Sequence, residues 1–406
     1  MSPGTRKRLF AAPLLAAALL GGGCSAADDA GNDEAAATGA KTKTFKLNAG
    51  AEAKALAKCN DASDRACYLR ALDLTNAYWL GVVSEAVYSI AIDDQQPEKA
   101  FGAMTTGGLD AAKLNWRERV IFDDSLSRSN AMYFETADGV AVLAFRGTAN
   151  DQGPANLVTD VQVGQVCGTA SGGEEFCVHS GFNESFRHLW SPTAVRYVPS
   201  THCAAGIDTT RVGRETTHCT NVAPRDKVVV RAEMLDYLEK RFAAGNPNRP
   251  PHTLFITGHS LGGALATLAL NELLLRPNLL PASTNVAVYT YGTPRVGDAA
   301  FAKKVFEVSR QRGIPYYRFV HRRDAVAGIK VMGYAHVGRN PTGEDDGLDT
   351  FIHLVGANER GPGADPRAAI MSLGHLDPEN PGSLADGISD HGMPKYLPLL
   401  AASRKP

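Results

Sequence analysis

The sequence has almost no net charge: 42 basic residues stand against 43 acidic ones, leaving −1 at pH 7. Such a chain offers no electrostatic case for nucleic acid or for a strongly acidic partner. It has no C-x-x-C pair and no Cys/His spacing of the kind that holds zinc, so no metal site is expected. After the N-terminus no apolar run is long enough to span a bilayer, and no internal repeat is visible. What is present is a chain of 406 residues, long enough to bury a sizeable core.

Residues 1–23 read as an export signal. Arg6-Lys7-Arg8 is a charged start, Leu9 to Leu20 an apolar stretch, and Gly21-Gly22-Gly23-Cys24 a small-residue exit. The segment resembles a bacterial lipoprotein signal. That resemblance implies lipidation of Cys24 through its sulfur, with Ser25 beside it permitting passage to the outer membrane. Gly21 stands where that family usually has leucine, and a simple secretory signal is the other reading. Both make the protein exported. Residues 24–55 are poor in large apolar side chains and are expected to form a flexible tether. Residues 56–406 are expected to form one domain.

Apart from Cys24 there are six cysteines, an even number that in an exported chain reads as disulfides. They fall in sequence-local couples, so Cys59–Cys67, Cys167–Cys177 and Cys203–Cys219 are the expected bridges. The last couple lies in a polar excursion, residues 190–225, that interrupts the pattern.

The periodicities predict an α/β domain. Leu69, Leu72, Trp79, Leu80, Val83 and Val87 predict a helix between Cys67 and Ile92. Residues 131–136 and 140–145 flank Asp138-Gly139 as a hairpin. A second helix is expected over Val228–Phe242. Residues 253–256, 286–291 and 316–320 read as strands, separated by helices that begin near Leu261 and Asp298. Strand–helix–strand spacing of this kind implies a mostly parallel sheet with helices on both faces. Residues 340–390, rich in Gly, Pro, Asp and Asn, read mostly as loop.

The chemistry centres on Gly258-His259-Ser260-Leu261-Gly262, with a β-type run before it and a helical pattern after it. That context makes G-x-S-x-G a nucleophile elbow: a serine on a strained strand-to-helix turn, flanked by glycines because Cβ atoms would collide. The first helix N–H groups, Leu261's among them, then face an oxyanion forming at Ser260. A serine needs a base, and the base needs an orienting acid. Asp324, leaving the strand at 316–320 into a loop, is the leading acid; Asp298 reads as a helix-start residue and Asp345, Asp346 and Asp349 as a solvated cluster. For the base, His321, His336, His353, His375 and His391 all lie downstream, and spacing leaves His375 and His391 level. His259 reads as a packed neighbour of the elbow, and His179 and His336 as hydrogen-bonded framework.

Five ordered blocks carry a resemblance. They are Phe145-Arg146-Gly147-Thr148, Val178-His179-Ser180-Gly181-Phe182, the elbow through Ala266, Tyr291-Gly292-Thr293-Pro294-Arg295-Val296-Gly297, and Asp390-His391 with Tyr396 five residues on. Together they resemble the class 3 (fungal-type) lipase family, across about residues 70–400. The resemblance implies an α/β-hydrolase fold with Ser260 as nucleophile, Asp324 as acid and His391 as base. It places Thr148 in the oxyanion hole with the Leu261 N–H. It implies a serine carboxylic-ester hydrolase acting on acylglycerol lipids, without metal or organic cofactor; the lipoprotein resemblance would hold it at a membrane surface through Cys24. Phospholipids, feruloyl esters and short-chain esters are the alternative substrates, and a non-catalytic surface scaffold the alternative class. Residues 156–161 match the end of the family's lid, with Leu157 where an aromatic is usual.

Overall fold

The computed structural model describes residues 45–59, 67, 70–89, 116–124, 129–148, 164–169, 175–190, 216–218, 229–231, 233–321, 324–328, 333–337, 351–354 and 388–403. The predicted N-terminal signal, the end of the lid at 156–161, Cys24, Cys203, Cys219 and His375 lie outside these residues.

Among the described residues one sheet of nine strands dominates. In chain order its strands are β1 (Trp116–Asp124), β2 (Ser129–Thr136), β3 (Val140–Phe145), β6 (Thr216–His218), β7 (Val229–Arg231), β8 (Thr253–His259), β9 (Asn285–Tyr291), β10 (Tyr316–His321) and β11 (Phe351–Leu354). A separate ribbon pairs β4 (Gln165–Thr169) with β5 (Glu175–His179). The order across the large sheet is β11-β10-β9-β8-β3-β2-β1-β7-β6. From β3 through β11 every pairing is parallel. The β1–β2–β3 segment is an antiparallel meander, turned at Asp138-Gly139 with Gly139 at φ 82°.

Alternation along the central strands sends side chains to two cores. Val142, Phe255, Tyr289 and Phe319 face one side, where α2 (Leu74–Ala86) and α8 (Met393–Ser403) supply Trp79, Leu80, Val83, Tyr396 and Leu400. Leu143, Ile256 and Val288 face the other, against α3 (Ser180–Trp190), α4 (Met234–Phe242), α5 (Leu261–Leu275) and α6 (Ala299–Gln311). This is the expected mostly parallel sheet with helices on both faces, the α/β-hydrolase layout. The helix after the elbow, α5, is apolar all round and buried along nearly its whole length, as a helix covered by both sheet and neighbours must be.

Four boundaries differ from the sequence reading. Residues 45–55, expected as tether, pack on the body instead: Phe45 is buried 5.4 Å from the Trp79 ring, and Glu52 of α1 (Ala51–Leu56) is buried with Asn76 Nδ2 donating to it at 2.6 Å. Burying the Phe45 and Leu47 side chains contributes roughly 1.5–3 kcal/mol each, and hydrogen bonds of Asn48 and Glu52 with Asn76 fix the segment on α2. The predicted helix from Cys67 to Ile92 is interrupted: Cys67 and Arg70 are helical, Leu72 and Asp73 are not, and α2 is opened by Asp73, whose side chain accepts from Asn76 N–H. The predicted helix at Val228–Phe242 splits, since Val229 and Val230 enter strand β7 and α4 starts only at Met234. Finally, the excursion and the C-terminal loop each give a short strand, β6 and β11, at opposite edges of the sheet. Cys59–Cys67 and Cys167–Cys177 are bridged as expected.

Candidate active site

β8 runs straight into α5 through a single residue, Ser260, at φ 59° and ψ −129°. A side-chain-bearing residue held there stores roughly 1–3 kcal/mol of backbone strain. Its neighbours over-determine the turn. The Ser260 N–H donates to Tyr291 O at 2.9 Å, and Ser260 O accepts from Gly263 and Ala264 at 2.9 and 3.3 Å. A Cβ on Gly258 would lie 2.3 Å from Gly262 O, and one on Gly262 would lie 2.1 Å from Phe145 O. Both flanking glycines are therefore obligatory, as the elbow reading requires.

Asp324 sits just past the end of β10 and is fully buried at the start of α7 (Ala325–Gly328). Val326 and Ala327 N–H donate to its Oδ1 at 2.9 and 3.1 Å, and the Tyr396 hydroxyl donates to Oδ2 at 2.5 Å. His391 Nδ1 lies 2.9 Å from both oxygens. Burial pushes this carboxyl up, but the neighbouring His391 and the hydrogen bonds from His391, Tyr396 and Ala327 outweigh it and hold it below its usual range. An ionised carboxylate only accepts, so Nδ1 of His391 carries the proton and Nε2 is left as the acceptor. That Nε2 is buried and, among the described residues, has no hydrogen-bond partner. Gly292 makes room for the pair: it stands at φ 56°, and a Cβ there would lie 2.7 Å from Asp324 Oδ2 and 3.0 Å from the His391 ring.

The rival residues are placed elsewhere. His321 Nδ1 donates to Asp390 O at 3.0 Å, clamping the residue before His391. His336 Nε2 donates to Ala327 O at 2.9 Å. His179 accepts from the Phe182 N–H and stacks on its ring, a framework role, and burial lowers its pKa to about 4. Asp298 caps α6 through Phe301 N–H. His353 lies in β11, paired with Val320. Asp345, Asp346 and Asp349 lie outside the described residues.

The end of β3 abuts the elbow, since a Cβ on Gly147 would lie 2.8 Å from His259 O. Thr148 follows and is exposed. The Leu261 N–H, first in α5, belongs to the helix turn whose amides have no intrahelical acceptor. Gly147, the neighbour of Thr148, thus abuts the residue before Ser260, and Leu261 directly follows Ser260. Three further contributors carried no role in the sequence reading. Tyr396 was visible only as a spacing from His391, Gly292 only as part of a Tyr-Gly-Thr-Pro turn, and Tyr88, on the short 3₁₀ turn Val87–Ser89, gave no signal at all.

The family model for lipase (class 3) matches residues 142–333, a span that holds Thr148, Ser260, Leu261 and Asp324 and stops short of His391. A lipase of Rhizomucor miehei is 44% identical over 91 residues, covering 22% of this chain and 24% of that protein. A secreted mono- and diacylglycerol lipase A of Penicillium cyclopium is 38% identical over 111 residues, 27% of this chain and 32% of that protein. The chain thus spans about a quarter to a third of the length of these curated relatives. Among solved structures, the Rhizomucor miehei triacylglyceride lipase aligns with a TM-score of 0.44 at 20% identity, over 70% of this chain and 82% of that one.

Proposed function

We propose that this chain, whose residues 142–333 match the class 3 lipase family, is a serine carboxylic-ester hydrolase acting on acylglycerol lipids. The observation that carries the reading is the buried Nε2 of His391, without a partner among the described residues, on a ring whose other nitrogen is held by the fully buried Asp324. Leaving a buried acceptor unpaired costs roughly 1–3 kcal/mol. It is an arrangement expected where a hydroxyl proton is to be received, and catalytic hydrogen bonds often tighten only with substrate present.

In the reaction, Ser260 Oγ attacks the acyl carbonyl while its proton passes to His391 Nε2. The carbonyl electrons move onto oxygen, where the Thr148 and Leu261 N–H groups stabilise the oxyanion. Asp324 holds the imidazole in its Nδ1–H tautomer and stabilises the imidazolium. Collapse of the tetrahedral species breaks the ester C–O bond, and the leaving alcohol takes the proton from His391. Water then attacks the acyl-enzyme by the same route and releases the carboxylic acid. No step needs a metal or organic cofactor.

The proposal extends to location. The N-terminal signal and Cys24 support an exported protein held at an outer-membrane surface by a lipid anchor, with the polar stretch after Cys24 as the spacer. Among the described residues no helix is long and apolar enough to cross a membrane.

The test is hydrolysis of p-nitrophenyl esters from short to long chain, beside a triglyceride emulsion and phospholipid vesicles. Hydrolysis of long-chain esters and emulsion, lost in Ser260→Ala, is the expected result. Turnover confined to short esters or to phospholipid would move the substrate class. Undiminished turnover by Ser260→Ala would overturn the reading.

A further inference from the structure

His259 stands between the nucleophile and the sheet, and it is neither the base nor a filler of space. Its ring is buried, and each of its nitrogens meets a different segment of the chain. Nε2 lies 2.6 Å from the backbone carbonyl of His391, which can only accept, so Nε2 carries the proton. Nδ1 is then an acceptor, and the Tyr88 hydroxyl donates to it at 2.8 Å. The Tyr88 oxygen also packs against the Gly147 backbone. Gly147 has to be glycine for this, because a Cβ there would lie 1.9 Å from that oxygen. The hydrogen bonds therefore run in one direction, Tyr88 O–H to His259 Nδ1 and His259 Nε2–H to His391 C=O, with Gly147 packed against the Tyr88 oxygen.

These contacts join three elements that the proposed reaction must hold in register. Gly147 precedes Thr148 on the oxyanion strand, His259 precedes Ser260, and His391 is the base. No covalent neighbour ties His391 to either of the other two, since it lies 131 positions beyond Ser260 in the chain and outside the matched family segment. We infer that His259, with Tyr88, is a positioning residue that fixes the His391 backbone, and hence its Nε2, against Ser260 and the oxyanion strand. The inference rests on the proposed hydrolytic function.

Two further observations fit. An apolar side chain would fill the same space without two buried nitrogens to satisfy, so retaining a histidine there calls for directional bonds. The ring is also kept neutral: burial, and next the adjacent His391, lower its pKa to about 3, against a weaker opposing pull from Asp324 and the His391 carbonyl. Neutrality matters because the ring centroids of His259 and His391 are 4.5 Å apart, and His391 must become an imidazolium in turnover. Besides the Asp324 carboxylate, the other titratable groups facing His259 are Tyr88 and Tyr396, whose hydroxyls burial pushes further from ionisation.

The test compares His259→Leu, His259→Gln and Tyr88→Phe with wild type and Ser260→Ala, on one soluble ester. Misplacement of a catalytic group by about 1 Å costs on the order of 10²-fold in rate, so His259→Leu should lower kcat by about that factor with KM changed less than about twofold. Gln keeps an N–H donor at the Nε2 position and should restore kcat to within about tenfold of wild type. Tyr88→Phe leaves the Nε2 bond intact and should show an intermediate loss. The downfield proton resonance of the His391–Asp324 hydrogen bond should shift in His259→Leu and return in His259→Gln, a readout that needs no substrate. If His259→Leu does not fold, Tyr88→Phe and His259→Gln decide by the same measurements. Unchanged kcat and an unmoved resonance in the folded variants would overturn the inference. If wild type and Ser260→Ala hydrolyse no ester alike, the failure belongs to the proposed function, and the resonance still tests the positioning.

Discussion

Tyr396→Phe removes one hydroxyl and nothing else from the most buried part of the site. That hydroxyl donates to Asp324 Oδ2 at 2.5 Å, and both residues are fully buried. A hydrogen bond to a charged group is worth roughly 1.5–3 kcal/mol, and no solvent can replace it here. The expected loss of stability at pH 7, read from urea unfolding, is therefore about 1.5–3 kcal/mol. Activity should fall less steeply, by roughly tenfold in kcat, because the carboxylate keeps His391 Nδ1 and the Val326 and Ala327 N–H groups. The pH dependence gives a sharper reading. Asp324 has its folded pKa below its unfolded value, so its stabilising contribution is complete above the unfolded value and is lost as pH falls through the folded one. Removing a donor to the ionised form raises the folded value, so the variant should begin to lose stability at higher pH than wild type. A variant as stable as wild type at pH 7, with the same acid limb, would refute the claim that Tyr396 holds the acid ionised.

The strain at Ser260 gives a second expectation. Ser260→Ala should lose turnover with its Tm nearly unchanged, whereas Ser260→Gly should also lose turnover but gain roughly 1 kcal/mol, because glycine accepts φ 59° without strain. Equal melting temperatures for the two would place no strain at the elbow. His179 has a folded pKa of about 4 against 6.5 unfolded, so between those values the unfolded chain binds the extra proton and stability falls as pH falls. The slope from this one residue approaches about 1.4 kcal/mol per pH unit, and His179→Gln should flatten urea midpoints measured from pH 7 to 5. His391→Ala should cripple ester hydrolysis while His375→Ala spares it, as steady-state rates will report; the reverse would move the base.

How much of this was legible in the sequence varied with the physics behind each feature. The elbow was readable because its constraints are local: two glycines, a strand before and an apolar helix after. Asp324 was readable because a strand end fixes where its loop emerges. His391 was not separable from His375 by spacing, since the contact joining it to Asp324 spans 67 residues and depends on how the C-terminal segment returns. Strand β1 went unread because Trp116-Arg117-Glu118-Arg119 and Asp123-Asp124 surround its short apolar centre with charge. Val229 and Val230 were absorbed into a helical pattern that begins only at Met234. The Phe45 anchor was lost among the small and polar residues around it. The bonds from Tyr88 through His259 to His391 left no trace in periodicity, being made by side chains and backbone far apart in the chain.

Covalent trapping tests the central claim most directly. Wild-type protein incubated with an alkyl p-nitrophenyl phosphonate, then digested and weighed by mass spectrometry, should carry one adduct, on Ser260 in the peptide containing Gly258-His259-Ser260-Leu261-Gly262. Release of one p-nitrophenol per adduct should accompany labelling, and His391→Ala should suppress both. An adduct on another residue, or ester hydrolysis that continues with Ser260 fully labelled, would contradict the account.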